Sequence, residues 1–140
     1  MKAGAFSDNA VQEHVGLRGD KLTAAQKKKL LGIVEAFVGH ARADAAKVRM
    51  AEVRAQLDDT YVTWAGGTGD DAAFHVRGHS PVVRVEVDCQ GPGPPAGAYG
   101  ARQGDGPTQK HVHSVVRTPN GNDYGKELLR QHYLTSPHHR

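Results

Sequence analysis

Close to Asp59 the spacing of apolar residues changes from a helical repeat to a strict alternation, and no chain with that change can fold into helices or strands alone. Before it, Leu30, Ile33, Val34, Phe37 and Val38 form one helical stripe, and Met50, Val53 and Leu57 a second. After it, Thr60 to Trp64 is rich in β-branched and aromatic residues, and Val83, Val85 and Val87 alternate with Arg84, Glu86 and Asp88. With 140 residues, one core is the expectation. The class that follows is α+β: an N-terminal helical pair packed on a mostly antiparallel sheet of three to five strands, closed by a short C-terminal helix.

Local chemistry sets the boundaries. Thr23-Ala24-Ala25-Gln26 reads as a capping box, which starts a helix at Ala24, and Gly39 ends it. A second helix is expected from about Asp44 to Asp58. Strands are expected at residues 60–64, 73–77, 82–87 and 111–117, with Gly78-His79-Ser80-Pro81 as a connection because Pro81 cannot donate to a ladder. Gln90 to Pro107 is dominated by Gly and Pro and reads as a mobile loop. Pro119-Asn120-Gly121-Asn122-Asp123 is a turn, followed by a final helix from Lys126 to Tyr133 with Leu128 and Leu129 inward. The organisation expected is a flexible lead-in at residues 1–21, a single domain at 22–135 and a tail at 136–140.

Composition narrows the function classes. A net charge of +3 comes from 18 Lys and Arg against 15 Asp and Glu, an ordinary mixed surface. The run Lys27-Lys28-Lys29 lies on the solvent side of a helix without stacking aromatics, which argues against nucleic acid. Mean hydropathy of −0.57 and the absence of a long apolar run argue against a membrane partner. A single cysteine, Cys89, and an N-terminus without an apolar h-region make the cytoplasm the default compartment.

Candidate chemistry centres on His111 and His113, two apart on a strand, so that both imidazoles point to one side and can ligate one divalent ion such as zinc or iron. Nine histidines in 140 residues make about half of one such pair expected by chance, so the alternative, hydrogen bonding to neighbouring carboxylates, stays open. A third ligand can come from His79, from Glu86 or Asp88, or from Cys89 as a thiolate. With a metal in place, Glu86 or Asp88 is the candidate proton acceptor of a metal-dependent hydrolase. Arg117, Asn120, Asn122 and Asp123 are candidates for an anionic ligand beside the turn, and the polar sheet face offers a third reading, a small-ligand or protein-binding module. No His-Glu-x-x-His, Cys-x-x-Cys or Walker-type motif is present.

The segments AEVRAQLDDTYVTWAGGTGD, HSPVVRVEVD and HVHSVVRTPNGNDYGKELLRQHY together resemble the C-terminal part of the domain-of-unknown-function 3500 family of uncharacterised bacterial proteins. The likeness runs from Leu22 to Tyr133 and implies no particular activity. It implies longer members, with a region before the equivalent of Leu22, so this chain is expected to be a truncated member whose uncovered surface favours self-association. It also implies His where this chain has Cys89, directly after Asp88.

Overall fold

Helix α1 (Ala24–Val38) begins where two side chains replace the backbone partners that a first helical turn lacks. Thr23 Oγ1 accepts from the Gln26 amide at 3.3 Å, and Gln26 Oε1 accepts from the Thr23 amide at 2.9 Å. The structure, a computed structural model, describes residues 12–91, 106–119 and 128–139. The expected tip of the Gly/Pro loop, the turn at 120–123 and the side chains of Leu128 and Leu129 lie outside the described residues.

Helix α2 (Ala43–Ala55) stops short of the expected Asp58 because the chain tightens into a 3₁₀ turn at Leu57–Asp59. Carboxylates at a helix C-terminus oppose the macrodipole. Here Asp58 pairs with Lys27 at 2.5 Å and Asp59 with Arg18, while the Thr60 hydroxyl donates to the Gln56 carbonyl at 2.9 Å. The chain therefore leaves the helix pair at a fixed angle and enters the sheet.

Five strands lie side by side in chain order in one antiparallel sheet, β1 (Leu17–Arg18) before the helix pair and β2 (Tyr61–Gly66), β3 (Phe74–His79), β4 (Arg84–Cys89) and β5 (Val112–Arg117) after it. β1 lies inside the segment expected as a lead-in. β3 runs through Gly78 and His79, which the sequence reading assigned to a connection; the turn falls instead at Ser80. There the hydroxyl accepts from the amides of Val82 and Val83 and donates to the Val83 carbonyl at 3.0 Å, so Pro81 is spared from any ladder. The short C-terminal helix α3 (Leu128–Thr135) completes the α+β fold.

Alternation divides the sheet into two unlike faces. Val62, Gly78 and Val85 share a register row on the side that meets Leu30, Val34 and Val38 of α1 and Met50 and Val53 of α2. A β-carbon at Gly78 would make an ordinary van der Waals contact, 3.6 Å, with Leu30 Cδ1 of the helix layer. Cys89 falls on this apolar side, buried and in register with Val112. The opposite face carries the polar residues.

Candidate functional site

Three register rows build the polar face. The first places Tyr61, His79, Arg84 and Arg117 side by side across β2 to β5; the second places Thr63, Arg77, Glu86 and Val115; the third places Ala65, His75, Asp88 and His113. Opposite residues in such rows have Cβ atoms about 4.5–5.5 Å apart. The alternation that sends valines to the helices therefore concentrates two histidines and an arginine of β3 against an arginine and two carboxylates of β4.

The centre of this face is closed to water. Glu86 is 0% exposed, Arg77 and His79 4%, and Arg84 5%. Buried charges are tolerated only when paired and hydrogen-bonded. Glu86 satisfies that rule: His75 Nε2–H donates to one carboxylate oxygen at 2.8 Å, and Arg84 Nη2 to the other at 3.2 Å. Arg84 also donates to the Gln12 side chain at 2.9 Å. Burial pushes the Arg84 guanidinium below its usual value; the Glu86 carboxylate opposes the shift, and the charges of Arg77 and Arg117 add to it.

Arg77 departs from the rule. Its guanidinium has no hydrogen-bond or ion-pair partner among the described residues, and its Nε is fully buried. The Nε of Arg84, the Nδ1 of His79 and the hydroxyl of Thr63 are likewise buried without partners. Thr63 and Glu86 flank Arg77 in register, so four unfilled polar atoms gather on two adjacent rows.

His79 is held neutral. Burial lowers its pKa to about 4, and the nearby positive charges of His14, Arg84 and Arg77 act in the same direction. His14 lies flat against it, with ring centroids 4.2 Å apart, and also meets Tyr61 at 5.2 Å. Segment 12–16 is placed there by Gly16, whose φ of +112° suits glycine and whose missing β-carbon would fall 2.2 Å from the Val62 carbonyl oxygen.

The sequence candidates fall into separate places. His111 and His113 do come together, with Nε2 atoms 2.7 Å apart, but His79 lies at the far end of β3, one strand and four positions from the partner of His113. Among the described residues no group of three or more His, Cys, Asp or Glu could hold a metal ion. Glu86 is committed to His75 and Arg84, and Asp88 accepts from the Gln90 side chain at 3.0 Å. Arg117 lies beside Arg84 in register, while Asn120, Asn122 and Asp123 lie outside the described residues. His14, His75, Arg77 and Arg84 were not singled out as site residues. The alternation of His75, Arg77 and His79 with Val76 and Gly78 is the signal that could have found two of them, His75 and Arg77.

A family model described as a protein of unknown function (DUF3500) matches residues 1–126, which includes the segment before Leu22 that the motif resemblance left out. No curated protein and no solved structure matches the chain. The chain belongs to the DUF3500 family.

Proposed function

We propose that this member of the family binds a small oxyanion, a carboxylate or phosphate group, in the polar face of its sheet. The observation that carries the reading is the Arg77 guanidinium, 4% exposed and without a hydrogen-bond partner among the described residues, beside the buried and unfilled Nε of Arg84. A guanidinium offers a planar fork of donors that matches an oxyanion in bidentate fashion. Arg77 and Arg84 carry two positive charges against the single carboxylate of Glu86, and the neutral His79 adds none, so these buried side chains sum to one positive charge. An anion of one charge balances them.

Glu86 has a supporting part in this reading. It fixes the Arg84 fork from one side and the His75 ring from the other. A small anion suits the face better than nucleic acid does, because the arginines are buried in a sheet rather than displayed with stacking aromatics. No helix among the described residues is long and apolar enough to cross a membrane. With one cysteine, which is free and buried, a reducing compartment is the setting we propose.

Thermal unfolding in phosphate, sulfate and succinate, matched to chloride in ionic strength, tests the reading. At least one oxyanion should raise the melting temperature saturably, since a ligand at a hundred times its Kd adds about 2.7 kcal/mol. The rise should vanish in Arg77→Met. Stabilisation that follows ionic strength alone, or that survives the substitution, would refute it.

A further inference from the structure

We propose that His111 and His113 form a second, independent site, a two-imidazole centre for a borderline divalent cation such as Zn²⁺. The pair lies where β5 begins, on the third polar row and away from Arg84 and His79. Its two ring nitrogens stand close to the spacing of two ligands on one ion. His111 Nδ1–H donates to the Gly91 carbonyl at 2.7 Å, which leaves Nε2 as the ring nitrogen turned toward His113. A ligating histidine is oriented in just this way by a carbonyl behind it.

His113 Nε2 faces that nitrogen at 2.7 Å, with the rings inclined at 59°. Two imidazole nitrogens bound to tetrahedral zinc at about 2.0–2.1 Å stand roughly 3.3 Å apart. Seating the ion between the two nitrogens therefore needs them to part by only about half an ångström from the present 2.7 Å. His113 is exposed, so the ion has a path in and water can fill the remaining positions. Asp88 stands opposite His113 in register without completing a three-ligand set. Imidazole is a ligand that zinc, copper and nickel all accept, and the arrangement selects that class over calcium or magnesium, which take oxygen.

Calorimetric titration of the full chain with ZnCl₂ at pH 7.5 tests the site, together with ¹H–¹⁵N spectra of the histidine rings. One-to-one binding is expected, with the His111 and His113 ring signals shifting together and the His111 Nδ1–H retained. His111→Ala and His113→Gln should each weaken binding at least tenfold and leave the circular dichroism spectrum unchanged. A chain in which His132, His138 and His139 are replaced should bind as before. Absence of binding, binding that survives both pair variants, or binding lost with the C-terminal histidines would overturn the proposal.

Discussion

Replacing Arg77 with methionine should make the ligand-free protein more stable while destroying its proposed function. The side chain is 4% exposed, and its Nε is buried without a partner. An unsatisfied buried donor costs about 1–3 kcal/mol. Methionine has similar length and adapts its shape to the space left, so little cavity remains. The loss of Arg77 does not strand Glu86, which keeps Arg84 and His75, and it removes a positive charge that lowers the Arg84 pKa. Exchange of buried ionic groups for apolar ones of similar volume is often stabilising by 1–4 kcal/mol. The expected gain is about 1–3 kcal/mol, which for a domain near this size raises the melting temperature by roughly 4 °C or more. Urea unfolding at pH 7 in chloride, followed by far-ultraviolet circular dichroism, measures it. Glu86→Gln is the contrasting arm: it leaves Arg84 buried without a carboxylate and should cost about 3–5 kcal/mol. A loss of 1 kcal/mol or more in Arg77→Met would mean that the guanidinium is a structural partner, and the reasoning from its unfilled Nε would fail.

The depressed pKa of His79, about 4 in the folded chain against 6.5 ordinarily, means that below pH 6.5 the unfolded chain takes up a proton that the folded one refuses. Stability should therefore fall by up to roughly 3 kcal/mol between pH 6.5 and 4 through this residue, and His79→Phe, which keeps a ring against His14, should show a correspondingly flatter profile of urea midpoint against pH. Thr23→Ala removes one half of the capping box and should cost about 1 kcal/mol by the same unfolding assay. Gly16→Ala combines an unfavourable φ with a clash against the Val62 carbonyl, and should cost about 1–3 kcal/mol and expose the Tyr61 ring, readable as a change in its near-ultraviolet signal.

The parts of the fold that depend on residues close together in the chain were legible. The capping box at Thr23 and Gln26 announces α1, and the alternation from Val83 to Asp88 assigns β4 and both its faces. Local patterns were less informative where long-range packing decides. Gly78-His79-Ser80-Pro81 resembles a connection, but Gly78 and His79 pair with Val85 and Arg84 of β4 and Ser80 closes the turn with its own hydroxyl, so the strand continues through His79. The candidate site was harder still, because its content is register and burial. Nothing in the chain order indicates that Arg77 stands between Thr63 and Glu86, or that Arg84 and Glu86 are closed to water. The His-x-His spacing did bring two rings together, since period two is a local property, whereas adding His79 required a knowledge of register that spacing alone does not supply.

The arginine side chains can be observed directly. A ¹H–¹⁵N spectrum of the Nε–H groups during titration with phosphate, repeated with succinate, should show Arg77 and Arg84 moving together along one saturable curve, with exposed Arg42 and Arg54 unmoved. If Arg77 and Arg84 stay in place with both anions, or all arginines drift in proportion to added salt, the polar face of this sheet is not an oxyanion site.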